Sequence, residues 1–301
     1  MTEILCINCK LPSKFLFSAK GATRKRYKYY RCEKCQLIQI SPFPNIKNLY
    51  QQDPYSRFIS QNPQAKFASR LPLGNFLINQ YLRLTKNRVK EVYKLKKTGK
   101  ILDVGCSKGG FLTNFKGKWK LYGLEINAKT AQIARKNIPS AKIYTNKIES
   151  GKLPKNYFDI ITFWHVFEHL QNPGLVLKKI HSSLKVGGYI IIEVPNSESL
   201  YRKIFRQHWQ LLLVPEHLYF FSKQSLSQIL EKNGFKVTKV KHFAIFTPSA
   251  ISSLANFSRF KGINSELAIL CGIALFPLII LVNILSFSKR ENLMIIAKKP
   301  L

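Results

Sequence analysis

The stretch Ile101–Leu112, with the sequence ILDVGCSKGGFL, constrains the fold of this 301-residue chain more than any other segment. Apolar residues lead to the acid Asp103, a turn rich in glycine and serine follows, and an apolar helical pattern begins at Phe111. This order predicts a buried strand, a tight turn and the start of a helix. Residues without a Cβ let such a turn approach a ligand closely, and the first N–H groups of a helix can face that ligand.

Two classes of ligand use such a turn. A dinucleotide site has the pattern G-x-G-x-x-G and places the pyrophosphate at the helix N-terminus. Here Ser107 occupies the second glycine position, and Asp103 lies directly before the turn, where it would repel a pyrophosphate. The residues therefore favour a cationic ligand, while a dinucleotide stays open as the alternative at this point.

The net charge of the chain is extreme, at +34, and its hydrophobic content of 46% is sufficient for a core. Such a charge predicts an anionic partner, namely nucleic acid, a membrane surface or a phosphorylated substrate, unless it only reflects a lysine-rich proteome. Residues 1–10 show no signal-peptide pattern, so we expect a cytoplasmic protein with reduced thiols. The six cysteines are then expected in metal sites or in the core.

Two C-x2-C pairs lie near the N-terminus, Cys6 with Cys9 and Cys32 with Cys35. Two such pairs can close a tetrahedral four-sulfur zinc site, and the apolar and aromatic residues between them suit short strands. We therefore predict a zinc ribbon over residues 1–40 with a structural Zn²⁺, since four thiolates leave no open position for chemistry. The alternative is a redox-active cysteine pair, but no βαβ pattern surrounds either pair.

Strand and helix patterns alternate between residues 99 and 243, which predicts a parallel sheet. The second strand ends at Glu125, and an acid at this place can accept hydrogen bonds from both ribose hydroxyls of a bound nucleoside. Four further strands are predicted at 142–145, 158–163, 189–194 and 237–243. Between the ribbon and this core, residues 41–98 are predicted to be a proline-punctuated connector that ends in a helix from Asn75 to just before Gly99.

The fourth strand leads into His165-Val-Phe-Glu168-His169, which also matches an H-x-x-E-H metalloprotease pattern. That interpretation is rejected, because the motif follows a strand and precedes Asn172-Pro173, which leaves no room for a long zinc-binding helix. A third ligand is also not evident in the sequence. The end of a strand in an open α/β sheet is nevertheless a ligand position.

Four landmarks in order resemble the class I S-adenosylmethionine-dependent methyltransferases. They are the D-V-G-C-S-K-G-G turn, Glu125, the F-D…H-x-x-E-H-L region and L-K-V-G-G before an apolar strand. The N-terminal ribbon is similar to that of some sugar methyltransferases, and E-H-L-Y-F-F-S at 216–222 resembles ubiquinone-type O-methyltransferases. The resemblance covers residues 99–243 and the final strand, and departs from the family pattern at Ser107. It implies a Rossmann-like, seven-stranded α/β sheet with helices on both faces and the last strand antiparallel between the fifth and sixth.

The same resemblance implies S-adenosylmethionine, a sulfonium cation, as cofactor. The residues expected to contact it are Asp103, Gly105, Cys106, Ser107, Gly109, Glu125, Ile126, Asn146, Ile148 and Trp164. The loop that contains Trp209 and His217 is expected to form the wall of the acceptor site. His217, and after it His165, are the candidate general bases, because an unperturbed histidine has a pKa near working pH. The alternative for His217 is a structural role that orients the loop.

Residues 267–287 carry no charge, and lysine and arginine flank them. Because the final strand, expected at 291–297, must rejoin the core, a single membrane span is excluded, and we predict a re-entrant or interfacial hairpin over residues 244–288. A buried helix, a dimer interface or a two-span hairpin are the alternatives. Basic flanks suit anionic lipid headgroups, which explains the charge better than nucleic acid does.

The sequence thus predicts five segments: ribbon 1–40, helical connector 41–98, catalytic core 99–243, hydrophobic insertion 244–288 and last strand with tail 289–301. The expected function is methyl transfer from S-adenosylmethionine to a small-molecule, lipid-linked glycan or quinone-like acceptor at the cytosolic face of an anionic membrane. The alternatives are an RNA methyltransferase and a non-catalytic membrane scaffold. The apolar insertion argues against RNA, and the intact turn with Glu125 argues against a scaffold.

Overall fold

The structure is a computed structural model that describes residues 3–21, 25–44, 74–115, 117–243, 253–258 and 289–301, with a few isolated positions between 261 and 281. The strands in chain order are β1 (Ser13–Lys20), β2 (Arg26–Cys32), β3 (Ile38–Ser41), β4 (Gly99–Val104), β5 (Trp119–Leu124), β6 (Lys142–Tyr144), β7 (Phe158–Trp164), β8 (Leu184–Pro195), β9 (Tyr219–Phe220), β10 (Lys236–Phe243) and β11 (Asn292–Lys298). The α-helices are α1 (Gly74–Leu95), α2 (Ala128–Asn137), α3 (Pro173–Ser183), α4 (Leu200–Phe205) and α5 (Lys223–Lys232).

A seven-stranded sheet forms the centre of the fold, in the order β10-β11-β8-β7-β4-β5-β6. Strands β4 to β8 pair in parallel, whereas β11 pairs antiparallel with both β8 and β10. The predicted Rossmann-like sheet, with its last strand inserted between the fifth and sixth, is confirmed. The strand order reverses at β4, which has β5 on one side and β7 on the other. In open α/β sheets, ligands bind at the point where the strand order reverses.

Both faces of the sheet are covered, as the continuous apolar runs predict. In β8, Ile190 and Ile192 pack into one core and Ile191 packs into the other. Helices α3 and α5 cover the first face and α1 and α2 the second, through residues such as Ile180, Leu226, Val92 and Ala131. Each fully buried aliphatic side chain of this kind stabilises the fold by about 1.5–3 kcal/mol.

Local sequence signals set the helix starts around the core. Asn127 accepts a hydrogen bond from Thr130 N at the start of α2, and Asn172 does the same for Leu175 N at the start of α3. Ser222 forms a reciprocal capping box with Ser225 at the start of α5. Such caps satisfy N–H groups that the first turn of a helix leaves without partners.

The expectation of a helix after the glycine-rich turn is wrong. Only one 3₁₀ turn, Leu112–Asn114, follows it, and Phe115 is already extended. The reason is length: a helix that runs back along a six-residue strand must cover about 20 Å, which takes about 13 residues. Only eight residues separate Gly110 from the start of β5 at Trp119. The apolar side chains Phe111, Leu112 and Phe115 are buried all the same.

A second, four-stranded sheet contains the N-terminal strands, in the antiparallel order β1-β2-β3-β9. The predicted short strands of the ribbon are therefore present, but the fourth strand comes from the catalytic core. Ile38 pairs with Phe220 and Gln39 pairs with Tyr219. The ribbon also contacts the start of α5, where Ser222 Oγ donates to Cys35 O at 2.9 Å.

The predicted hairpin at 244–288 and the proline-rich part of the connector, residues 45–73, lie mostly outside the described residues. Residues 253–258 are helical, with Ser253 and Ala255 buried. Among the residues that the structure describes, none of the helices has the length and apolar character needed to cross a bilayer.

Candidate active site

The expected cofactor residues lie at the carboxyl edge of four neighbouring parallel strands. Asp103 and the turn that follows belong to the end of β4, Glu125 and Ile126 follow β5, Asn146 and Ile148 follow β6, and Trp164 ends β7. Because parallel strands end at one edge of a sheet, residues that are distant in sequence come together here.

The turn after β4 has the backbone shape that its composition predicts. Gly105 has a φ of +74°, and a Cβ there would lie 2.4 Å from Cγ2 of Val166. Gly105 N and Cys106 N both donate to Leu124 O, at 2.7 and 3.1 Å, which joins the turn to the end of β5. Ser107 has a φ of +49°, so the residue that departs from the family pattern adopts the left-handed conformation that favours glycine.

Asp103 is almost completely buried, at 2% exposure. Its Oδ1 accepts a hydrogen bond of 2.7 Å from Thr162 Oγ1 on β7. Burial raises the pKa of the Asp103 carboxyl to about 7, although the bond from Thr162 acts in the opposite direction. A cation beside this carboxyl would restore its charged form, so the residue suits a positively charged ligand.

Glu125 is 5% exposed and connects the two loops that follow β4 and β5. Its Oε2 accepts a hydrogen bond from Ser107 N at 3.1 Å, and its Oε1 accepts one from Asn127 N at 2.8 Å. The Glu125 carboxylate therefore fixes the turn after β4 to the loop after β5.

The other expected cofactor residues differ in what they can offer a ligand. The side chains of Cys106 and Ile148 are buried in the core, so only their backbone groups can face a ligand. Ile126 is exposed and Asn146 is half-buried. Gly109 has a φ of +86°, and a Cβ there would lie 2.5 Å from Ile138 Cδ1.

A buried ion pair that the sequence does not indicate lies beside the carboxyl edge of the sheet. Arg88 on α1 donates both to Oε2 of Glu193, at 3.1 Å from Nε, and to Oε1 of the same residue. Its guanidinium carbon lies 5.0 Å from the ring centre of Trp164. Burial opposes the charge of Glu193, but Arg88 and His165 lower its pKa to about 2. The sequence could have indicated a special role for Glu193, because it is the only acid in an apolar strand. It does not distinguish Arg88, which is one of many basic residues on its helix.

His165 lies directly after β7 with a φ of +54°. Its Nδ1 is 3.3 Å from Glu168 Oε1, and its Nε2 is 3.2 Å from Glu193 Oε1. Burial favours the neutral ring, but the two carboxylates outweigh it and raise the pKa of His165 to about 9. His165 is then an imidazolium at neutral pH, where it has no lone pair to accept a proton.

His217 is buried, at 2% exposure, in the loop before β9. Its Nδ1 lies 2.7 Å from Leu211 O, so Nδ1 carries the hydrogen, and its Nε2 lies 3.8 Å from Glu168 Oε1. Burial, aided by the charge of His169, lowers the pKa of His217 to about 3. The expectation that either histidine titrates near working pH is therefore wrong, because the sequence did not reveal their burial or their carboxylate neighbours.

The four ribbon cysteines come together as the spacing predicts. Their Sγ atoms all lie within 4.8 Å of one another, with Cys6 Sγ and Cys35 Sγ 3.6 Å apart. Four sulfurs at about 2.3 Å from one tetrahedral ion are about 3.8 Å apart, so this group fits Zn²⁺ with little movement. A second group of potential ligands consists of Glu168, His169 and His217.

Comparisons with known proteins agree on the fold and the chemistry. The methyltransferase-domain family matches residues 76–240. An uncharacterised protein of Haemophilus influenzae is 30% identical over 102 residues, which are 31% of this chain and 40% of that protein. The ubiquinone biosynthesis O-methyltransferase of a Shewanella species is 22% identical over 145 residues, which are 44% of this chain and 61% of the relative.

The alignments thus span less than two thirds of these curated relatives. Among solved structures, an S-adenosylmethionine-dependent methyltransferase from Archaeoglobus fulgidus superposes with a TM-score of 0.50 at 22% identity, over 75% of this chain and 99% of that one. The family match covers more than half of the chain. The chain therefore belongs to the methyltransferase-domain family and has the Rossmann-like fold of S-adenosylmethionine-dependent methyltransferases.

Proposed function

We propose that this protein is an enzyme that transfers the methyl group of S-adenosylmethionine to a hydroxyl group of a lipid-linked, glycan or quinone-like acceptor at the cytosolic face of a membrane. The single observation that carries the donor site is the pair of buried acids, Asp103 and Glu125, on either side of a turn with three left-handed residues. In this site Asp103 favours the positive charge of the donor, and Glu125 accepts from its ribose hydroxyls. Asn146 and the backbone of Ile148, which follow the neighbouring strand β6, are proposed to contact the adenine.

The donor supplies a methyl group that is already activated, so the residues of the chain mainly have to hold and align the two substrates. Trp164 lies at the carboxyl edge of the sheet. Its ring contacts the Phe111 ring edge-on, with the ring centres 5.1 Å apart, and packs against the Arg88 guanidinium. His165 adds a positive charge held by two carboxylates. In its imidazolium form it orients or attracts an oxygen of the acceptor rather than deprotonating it.

The acceptor loop contacts Ser253 near the start of the hydrophobic insertion and Glu291 just after its end, and this supports a membrane-borne acceptor. Gln210 N donates to Ser253 Oγ at 2.9 Å, and Trp209 Nε1 donates to Glu291 Oε1 at 3.1 Å. Leu275 and Leu281 within the insertion are each 49% exposed. An apolar segment anchored on the acceptor wall would bring that wall to the lipid surface, with the basic flanks on anionic headgroups.

The four cysteines are proposed to hold a structural Zn²⁺. Three of them, Cys6, Cys32 and Cys35, are buried, and the sulfur geometry suits a closed tetrahedral site. Such an ion would stabilise the two loops that carry the cysteine pairs. It takes no part in methyl transfer.

Calorimetric titration with S-adenosylmethionine tests the donor site. Asp103→Ala and Glu125→Gln should each abolish measurable binding, while Glu231→Gln, which removes an exposed acid from α5, should leave it unchanged. Unchanged affinity in the first two variants would refute the site, and no binding by the wild type would favour the scaffold alternative.

Sedimentation with vesicles tests the membrane part of the proposal. Binding to anionic vesicles should exceed binding to neutral ones and should fall in the variant Leu275→Asp/Leu281→Asp. Val186→Asp, which adds a charge at an exposed apolar site on the core, is the matched control. Salt-dependent retention of RNA, with no vesicle binding, would favour the RNA methyltransferase alternative.

A further inference from the structure

We propose that Glu168, His169 and His217 form a second metal site, which takes one divalent transition-metal ion beside the donor pocket. The H-x-x-E-H pattern alone does not predict a metal site, because no long helix is available and no third ligand is evident in the sequence. The structure confirms the first point, since Glu168 and His169 lie on a 3₁₀ turn, Phe167–His169. It supplies a third ligand from the loop before β9, 48 residues after His169.

The two imidazoles are oriented as metal ligands usually are. His217 Nδ1 donates to Leu211 O at 2.7 Å, and His169 Nδ1 lies 2.9 Å from Glu216 O. Because a carbonyl oxygen only accepts, both rings carry the hydrogen on Nδ1 when neutral, and Nε2 is the ligating nitrogen of each. Metal-bound histidines in proteins almost always fix their second nitrogen in this way.

The carboxylate of Glu168 lies beside the His165 ring but has, among the residues that the structure describes, no hydrogen bond of good geometry to stabilise its buried charge. Its residue exposure is 0%, and within the described part of the chain neither oxygen accepts a hydrogen bond of good geometry. The nearest nitrogens are His165 Nδ1 at 3.3 Å and His217 Nε2 at 3.8 Å. A buried polar group without a hydrogen bond costs about 1–3 kcal/mol, and more when it is charged. A bound cation would satisfy it.

The spacing and the ligand types define the class of ion. The three ligand atoms lie within 4.8 Å of one another, and ligands at about 2.1 Å from one ion are about 3.0–3.4 Å apart, so shifts of about 1 Å would close the site. Two imidazoles and one carboxylate suit Zn²⁺, Mn²⁺, Fe²⁺ or Co²⁺ rather than Ca²⁺ or Mg²⁺, which prefer oxygen ligands. Three protein ligands leave positions open for a substrate oxygen.

The open positions give the ion a role in the reaction, and this role, unlike the site itself, rests on the proposed function. As a Lewis acid the ion would lower the pKa of an acceptor hydroxyl, whose proton passes to solvent. A lone pair of that oxygen then forms the new O–CH₃ bond, and the S–CH₃ bond breaks with its electron pair remaining on sulfur. The products are the methyl ether and the neutral thioether, S-adenosylhomocysteine.

Metal analysis of the purified full chain tests the site without donor or acceptor, so its result is independent of the proposed function. The protein is first loaded with zinc at the cysteines, then titrated with Mn²⁺ or Co²⁺, and the bound metal is counted per chain. We expect one additional equivalent in the wild type and its loss in Glu168→Gln and in His217→Ala. His181→Ala, which removes a histidine from α3 outside this cluster, should keep it.

Two results would overturn the proposal: a wild-type protein that binds no ion beyond the cysteine site, or a second ion that persists in both variants. Circular dichroism shows whether each variant is folded. If a variant fails to fold, anomalous diffraction from wild-type crystals soaked in Mn²⁺ decides the question. A peak between Glu168, His169 and His217 supports the site, and no peak there at saturating Mn²⁺ refutes it.

Discussion

Replacing Asp103 by asparagine should stabilise the protein in the absence of its cofactor while it removes cofactor binding. The pKa of the Asp103 carboxyl is about 7 in the folded protein, against an ordinary value of 3.8. Between these two values the folded state keeps a proton that the unfolded state has lost. The free energy of unfolding therefore falls as the pH rises from about 4 to 7, and the whole loss is present above pH 7. A shift of about three units corresponds to about 4 kcal/mol.

The asparagine variant does not titrate, so it should lose none of this stability as the pH rises. Relative to the wild type, its free energy of unfolding should increase by about 2.5 kcal/mol between pH 5 and pH 8, whatever the packing cost of the amide itself. Urea denaturation of both proteins at the two pH values, without S-adenosylmethionine, measures this difference. The hydrogen bond from Thr162 Oγ1 can be kept by the amide oxygen.

Asp159→Asn is the matched control on the neighbouring strand. Asp159 is 4% exposed, it accepts a hydrogen bond from Lys100 N at 2.9 Å, and it pairs with Lys96 and Lys185. Burial opposes its charge, but these partners hold the pKa of Asp159 below its ordinary value. It is ionised in both states at pH 5 and at pH 8, so the variant should be less stable than the wild type by a constant amount. Equal pH dependence of Asp103→Asn and the wild type would refute the argument for Asp103.

Three further substitutions test other parts of the site by the same denaturation and titration measurements. Glu193→Gln removes the buried negative charge that pairs with Arg88 and should cost about 3–5 kcal/mol of stability; a loss below about 1 kcal/mol would contradict the role of the pair. Gly105→Ala should reduce stability by about 1–3 kcal/mol and weaken cofactor binding, because the new methyl would lie 2.4 Å from Val166. Gly117→Ala, at a φ of +71° with nothing within 4 Å of its Cβ, is the control that separates strain from collision. Cys9→Ser should remove the zinc equivalent and lower the midpoint of thermal unfolding, whereas Cys271→Ser, at an exposed thiol, should do neither.

The order of the strands could be predicted from the sequence because each strand end carries its own marker. Asp103 with its glycine turn, Glu125, and the F-D and L-K-V-G-G regions occur at the spacing that one sheet topology requires, and the structure has that topology. The cysteine spacing likewise predicted which four sulfurs would meet. These signals are local, so a single sequence contains them.

What the sequence did not predict depends on contacts between distant segments. Arg88 gives no sign of its partner Glu193, which is 105 residues away, and nothing near His217 indicates that it faces Glu168. The shifted pKa values of the two histidines follow from these contacts and from burial. The wrongly expected helix after the turn has a different cause. The apolar pattern suggested a helix, but the number of residues before the next strand is too small for one.

The pairing of β3 with β9 has a consequence for how the protein is made. The partner strand of β3 begins 178 residues after β3 ends, and in the finished fold Ile40 N donates to Leu218 O, beside His217. During synthesis the N-terminal ribbon leaves the ribosome with the edge of β3 unpaired. That edge can pair with β9 only after most of the protein has been translated. A nascent chain stalled before residue 219 should therefore expose that edge to chaperones or to other copies. The N-terminal ribbon and the loop that contains His217 would then become ordered together, in a late step of folding.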